Sequence, residues 1–169
     1  VAPQLPEVLF LLAGEHSDQI DSHDCPPNVV RMGAVGAARL DQLLAAADVA
    51  VNPMRSGGGS NLKVLGYFAA GVPVLSTPTG LRGIDEPERF ATVARIDQFT
   101  DALRSISADS TSDAGREKLS RRTVAARELV ETSYDWEVIS TRFADQVVAV
   151  ASGSREGLTS NTESMEYRQ

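Results

Sequence analysis

The stretch Asp48–Thr77, "DVAVNPMRSGGGSNLKVLGYFAAGVPVLST", decides the fold. An apolar run with β-branched residues, Asp48 to Pro53, is followed by three glycines, Gly57, Gly58 and Gly59. Leu62, Leu65, Phe68 and Ala69 then recur at helical spacing on one face. Gly71 supplies a helix stop, and "VPVLST" (Val72–Thr77) resumes the strand pattern. Strand, loop, helix and strand in this order form one βαβ unit, whose two strands are parallel. Ser60 and Asn61 are both good N-cap types, so the helix is expected to begin near them. Each glycine costs roughly 0.5–1 kcal/mol of folding free energy relative to alanine, so three in a row before a helix need a reason.

The same alternation extends outward. "EVLFLLAG" (Glu7–Gly14), "NVVRMG" (Asn28–Gly33) and the weaker "FATVARI" (Phe90–Ile96) read as further strands. These are nearly continuous apolar runs, the pattern of strands covered on both faces. "AARLDQLLAAAD" places Leu40, Leu43, Leu44 and Ala47 on one helical face between the second and third strands. The expectation is an α/β fold, a Rossmann-like doubly wound parallel sheet, followed by a helical end. Phe99, Leu103 and Ile106 form one stripe in that end, and Leu119, Ala126 and Val130 another, with "SADSTSDAG" (Ser107–Gly115) read as a polar loop between them. A last helix from near Asp135 carries Trp136, Ile139, Phe143, Val147 and Val150 on one face, a stripe that needs a core or another domain to pack on. The domain is expected over residues 1–151, and residues 152–169 lose all periodicity and read as a disordered tail.

In a doubly wound sheet ligands sit at the carboxyl ends of the strands, where the glycine loop lies. A helix N-terminus offers unpaired N–H groups and a partial positive charge, and Lys63 in the first turn adds a full one. The guest suited to that place is an anion such as phosphate. The plainer alternative is a tight turn beside a solvated lysine.

Composition narrows the partners. The chain has 169 residues, 42% hydrophobic and 23% charged, which suits one globular domain with a real core. A formal net charge of −7, with no basic cluster longer than Arg121-Arg122, argues against nucleic acid. Any phosphate site is therefore local. Cys25 is the one cysteine, and His16 and His23 have no partner at ligand spacing, so neither a disulfide framework nor a metal site is expected. No run is long enough to span a bilayer. The chain opens on Val1 with no methionine, consistent with a piece of a longer protein.

From Pro6 to Ala151 the sequence resembles the donor-binding half of retaining GT-B glycosyltransferases, a group that includes many bacterial capsule and lipopolysaccharide enzymes. The resemblance is carried by Pro53, Gly57–Gly59, Lys63, "AGVPV" (Ala70–Val74) and the Thr77–Gly80 loop, with "LPEVLFLLAGE", "PPNVVRMGAV" and "SYDWEVISTRF" on either side. It implies that Gly57, Gly58, Gly59, Ser60, Asn61 and Lys63 hold the diphosphate of a nucleotide-sugar. It also implies that Gly33, Val35, Gly66 and Tyr67 lie along the base and ribose. The nucleotide-sugar is a substrate, and no cofactor or metal is implied in this domain. The partner implied is an N-terminal acceptor-binding domain of the same protein, which would also carry any peripheral membrane contact. The implied location is the cytoplasm or the inner membrane face.

Two departures stand out. Better-studied members carry two glutamates separated by seven intervening residues, one facing the sugar and one the ribose hydroxyls, where this chain has Gly58 and Gly66. The family's first strand and helix, with an Arg and a Lys that clamp the phosphates, are expected to precede Val1. No catalytic residue is assigned here, because the resemblance implies that the donor's leaving phosphate acts as the base. His16 and His23 match no catalytic position. Alternative readings are a non-catalytic GT-B-like nucleotide-binding or interaction module, and half of a nucleotide-sugar epimerase. An NAD enzyme is disfavoured by the glycine spacing of "GAVGAARL".

Overall fold

The computed structural model describes residues 1–21, 25–58 and 61–152. The chain divides into two compact units, Val1–Glu128 and Leu129–Gln169. The first contains β1 (Phe10–Ala13), β2 (Val29–Gly33), α1 (Ala37–Ala46), β3 (Ala50–Asn52), α2 (Leu62–Ala69), β4 (Val74–Ser76) and β5 (Thr92–Val93). It continues with α3 (Phe99–Thr111) and α4 (Asp113–Leu129), whose final residue falls in the second unit. The second unit has a π-helical turn, Val130–Tyr134, and α5 (Trp136–Ala151).

Every expected strand is present and every pairing is parallel. Hydrogen bonding, however, divides the strands into two ladders rather than one continuous sheet: β1 with β2, and β3–β4–β5. The runs also prove longer than the paired segments, and the weakest of them pairs over Thr92 and Val93 alone.

The core lies on the α3 side. Leu5, Leu75, Phe99, Leu103, Ile106 and Leu119 form one cluster, and Phe10 of β1 and Val51 of β3 both pack against it. Burial of such side chains stabilises by roughly 1.5–3 kcal/mol each. The N-terminal residues are stapled to β2 by Asn28, whose side-chain amide donates to the carbonyls of Ala2, Leu5 and Val8 at 2.8–2.9 Å.

Four local expectations need correction. Coverage on both faces holds for β4, where Val74, Leu75 and Ser76 are all buried, but β1 alternates and leaves Leu11 exposed. Helix α1 forms as read, yet none of its residues is buried. In α2 the buried pair is Val64 and Phe68, both 0% exposed, while Leu62 is 73% exposed and Ala69 lies on the surface. The inward side of α2 is therefore turned from the stripe through Leu62, Leu65, Phe68 and Ala69 toward Val64 and Phe68, and the Phe90 ring packs tilted against Phe68 with centroids 6.3 Å apart. Finally, Ser107–Gly115 is not a loop. Helix α3 runs to Thr111 and α4 starts at Asp113, leaving Ser112 between them. The polar side chains are served within the helix, Ser110 and Thr111 donating to carbonyls three residues back, and the Ser112 hydroxyl accepts from the Gly115 N–H.

Helix α5 begins where expected, with Asp135 as its N-cap accepting from the Glu137 N–H at 2.8 Å. It buries none of its residues, and Trp136 and Phe143 are 80% and 67% exposed. Of residues 152–169, read as a tail, Ser152 is the C-cap of α5 and donates its hydroxyl to the Val148 carbonyl, and the rest lie outside the described residues.

Candidate functional site

Strand β3 ends on Asn52, which is buried, and the chain passes through Pro53 into the glycine loop. Gly57 has φ +145°, a conformation that favours glycine, and a side chain there would meet Met54 Cε at 2.9 Å. Gly58 opens onto free space. Gly59 and Ser60, two of the residues expected to face phosphate, lie outside the described residues.

Asn61 stands at the N-cap position of α2, but its side chain does not cap the helix. Its amide donates instead to the Gly80 carbonyl at 3.1 Å and contacts Met54 Sδ at 3.4 Å. The helix thus begins where the sequence suggested, but Asn61 holds the N-cap position without accepting from the first-turn N–H groups, which lack that side-chain partner. Lys63 lies exposed in the first turn of α2. Gly66 and Tyr67 follow on the same helix, Gly66 exposed with nothing within 4 Å of an added Cβ, Tyr67 half-buried. Burial raises the Tyr67 hydroxyl above its ordinary value, holding it neutral.

A second loop meets the first. Strand β4 leads through Thr77 into the short turn Thr79–Leu81. The Thr77 hydroxyl donates to the Met54 carbonyl and accepts from the Gly80 N–H at 3.1 Å. Beneath them Asn52 donates to Ser76 Oγ at 3.1 Å and to the Gly80 carbonyl at 3.2 Å, and Ser76 Oγ donates back to the Asn52 carbonyl. Among the described residues no buried side-chain polar atom lacks a partner. The network leaves no room at Gly80, where an added Cβ would fall 2.3 Å from both Asn52 Nδ2 and Ser76 Oγ. The Arg82 guanidinium reaches across to donate to the Gly57 carbonyl. The carboxyl ends of β3 and β4 are thereby tied into one rim, which Asn61 joins to the start of α2.

Sequence reasoning named Gly57, Gly58, Asn61 and Lys63 as site residues and the Thr77–Gly80 loop as a matching motif, but missed Asn52, Ser76 and Arg82 as groups that shape this rim. A signal existed: an asparagine closing an apolar run must find partners when buried, and Thr77 sits three residues before Gly80. Gly33 ends β2 in the other ladder, and Val35 lies in the loop just beyond it. The Gly33 N–H donates to Ser17 Oγ at 2.9 Å and its carbonyl accepts from the Gly14 N–H at 2.8 Å. Its backbone is thus engaged in tying β1 to β2. Among the described residues no three His, Cys, Asp or Glu side chains come together as a metal cluster, and no helix is long and apolar enough to cross a membrane.

No curated protein matches this chain. Among solved structures it is similar to sucrose-phosphate synthase from Thermosynechococcus elongatus, at 16% identity and a TM-score of 0.63. The match covers 91% of this chain and 50% of that one, so the chain spans half the length of the structure it matches. That likeness shows the fold: parallel strands with flanking helices, as in a GT-B glycosyltransferase. The family described as "Glycosyl transferases group 1" matches residues 1–109, beginning with the strands of both ladders and ending within α3. The chain belongs to the group 1 glycosyl transferases.

Proposed function

We propose that this chain is the donor-binding part of a glycosyltransferase that moves a sugar from a nucleotide-sugar to a glycan, lipid or similar acceptor. The observation that carries the reading is the rim where the glycine loop enters α2 at the carboxyl end of β3, in a chain of this family. Anions bind at such helix starts because N–H groups and the helix dipole both point at them. Gly57, Gly58, Gly59, Ser60, Asn61 and Lys63 take the diphosphate, Lys63 as a point charge in the first turn. Tyr67 and the open space above Gly66 lie toward the ribose, and Gly33 and Val35 toward the base. The nucleotide-sugar is substrate, and neither metal nor cofactor is assigned a part in this domain. The chain's own contribution to transfer is position and charge: it holds the leaving diphosphate while an N-terminal domain holds the acceptor.

A second reading, a GT-B-like module that binds nucleotide or a partner without catalysis, is favoured by one feature. Gly58 and Gly66 stand where a carboxylate would face sugar and ribose, and neither carries a side chain.

Calorimetric titration with UDP and GDP tests the first reading. Lys63→Ala is expected to weaken diphosphate binding about tenfold, roughly 1.4 kcal/mol, and to leave the unfolding midpoint unchanged because the side chain is exposed. Equal affinity in variant and parent would remove Lys63 from the site. Binding without transfer by the full-length protein, over a panel of nucleotide-sugars and acceptors, would decide for the second reading.

A further inference from the structure

We propose that the sugar carried by the donor is an anion, a hexuronate, and that Arg82 takes its carboxylate. This adds the class of sugar to the nucleotide-sugar reading of the rim, on which it rests.

The rim is charged against the rest of the chain. Acidic residues make up 23 of 169, so a stretch of 36 residues at that average would hold about five. Val49–Ile84, which supplies β3, the glycine loop, α2, β4 and the turn after it, holds none. It holds Arg55, Lys63 and Arg82, all exposed, and so carries +3 in a chain of net charge −7. Asp48 stands before β3, at the strand end opposite the rim, and beyond Arg82 the exposed Asp85 is followed by Glu86, which pairs with Arg89 at 2.9 Å. Charge of one sign gathered in this way raises the local concentration of anionic ligands.

The chemistry of these groups also selects. Arginine and lysine side chains donate hydrogen bonds and accept none. Asn52, Ser76 and Thr77, which can accept, are buried in the network beneath the rim. A neutral hexose presents hydroxyls that donate as well as accept, and a carboxylate is the charged side chain that receives their hydrogen bonds. Val49–Ile84 has none to offer. A uronate carboxylate only accepts, and a guanidinium meets it with two parallel N–H donors.

Arg82 stands where such a sugar would fall. With the nucleoside toward Tyr67, Gly33 and Val35 and the diphosphate at the start of α2, the glycosyl group extends from the far side of the diphosphate, along the glycine loop. There the Arg82 guanidinium donates to the Gly57 carbonyl, a neutral acceptor and so a weaker partner than a carboxylate. Gly58 beside it is exposed, with nothing within 4 Å of an added Cβ, which leaves room for a ring. The guanidinium is presented from a fixed turn: Leu81 before it is 1% exposed, and the Gly80 carbonyl accepts from both Asn52 and Asn61.

Calorimetric titration of the full-length protein tests the assignment, with UDP, UDP-glucose and UDP-glucuronate as one series and GDP, GDP-mannose and GDP-mannuronate as the other. In the series whose free nucleotide binds, the uronate is expected to bind at least about tenfold more tightly than the neutral sugar. Arg82→Ala should abolish that margin and leave the affinity for the free nucleoside diphosphate within about twofold, whereas Arg82→Lys, a charge without the planar fork, should keep part of it. A uronate that binds no more tightly than the neutral sugar, or a margin that survives Arg82→Ala, overturns the proposal while the nucleotide-sugar reading stands. Equal losses of nucleoside diphosphate and uronate affinity in Arg82→Ala assign the side chain to the diphosphate or to the shape of the loop and overturn it as well. Binding of neither nucleotide overturns the site reading itself, and the proposal with it.

Discussion

The two ladders begin from similar sequence and end in different surroundings. "EVLFLLAG" and "VPVLST" are both apolar runs of strand type, yet Leu75 of the second is 0% exposed and Leu11 of the first 44%. The difference lies in what the flanking chain supplies. Strand β4 is entered from α2, whose Val64 and Phe68 are buried, and it shares a core cluster with α3. Strand β1 is joined to β2 through a segment whose only described helical piece is a single 3-10 turn, Ser17–Gln19, too short to cover a sheet face. An apolar run therefore specifies a strand, whereas its burial is decided by neighbours elsewhere in the chain. The ladder ends differ in the same sense: Asn52, Ser76 and Thr77 lock β3 to β4 from within, while β1 and β2 are tied at their ends by the hydroxyl of Ser17, which accepts from Gly33 and donates to Gly14.

The comparison breaks most visibly at leucine. Leu75→Ala is expected to cost about 3 kcal/mol, in the range for a fully buried side chain that leaves a cavity. Leu11→Ala in residues 1–169 should cost under about 1 kcal/mol, because nearly half the side chain is already in water. Urea denaturation of the two variants measures both. Equal losses would mean that β1 is covered as well as β4.

At the ladder ends the next largest effect is Gly80→Ala. Its new methyl would fall 2.3 Å from Asn52 Nδ2 and Ser76 Oγ, so the buried hydrogen bonds must part or the turn must shift. The expected cost is about 2 kcal/mol, with weaker diphosphate binding because the rim moves. Ser17→Ala, at the other ladder's end, should cost roughly 1 kcal/mol or less, since the groups it leaves can reach water. A Gly80→Ala protein with parental stability would show that the network is not rigid.

Most of the fold was legible because strand and helix periods differ and the punctuation was strong. Gly71 stopped α2, Asp135 started α5, and the glycine loop fell between a strand and a helix. Three things were not legible for physical reasons. The inward face of α2 packs against Phe90, twenty-two residues away from Phe68, and local periodicity does not carry such a contact. The α3–α4 junction looked like a loop because serine and threonine are poor helix formers alone, yet the tertiary position of Gly115 holds the two helices close, an added Cβ there falling 2.2 Å from the Asp109 carbonyl. The polar network under the rim was hidden because an asparagine at a strand end reads as turn chemistry until its burial is known.

Gly66 offers a way to sharpen the site half of the comparison by adding to it. Nothing lies within 4 Å of an added Cβ, and the residue is exposed in the middle of α2. Gly66→Glu should raise stability by about 0.5–1 kcal/mol through helix propensity alone. If the ribose lies above this turn, a carboxylate there accepts its hydroxyls in charge-assisted hydrogen bonds, and UDP or GDP should bind about tenfold more tightly. Higher stability without tighter binding would separate the helix effect from the site and move the ribose elsewhere.

The smallest expected effect uses Tyr67 to report the cover that α2 gives to the three-strand side. The chain's tyrosines are Tyr67, Tyr134 and Tyr167, so the β1–β2 side contributes no such signal. Burial holds the Tyr67 hydroxyl above its ordinary value of 10.0, so the folded state keeps the proton to higher pH than the unfolded state does. The sign follows from linkage. Below the unfolded value both states are neutral and Tyr67's contribution is whole; above it the unfolded chain ionises first, and stability is lost as pH rises through the folded value. Urea midpoints of the parent and of Tyr67→Phe, taken at about pH 9 and about pH 11, isolate this contribution, because phenylalanine keeps the ring and has nothing to ionise. The variant should gain on the parent between the two values. A gap that stays constant with pH would mean that the phenol ionises as freely in the folded protein as in water, and that α2 does not seal this side of the sheet.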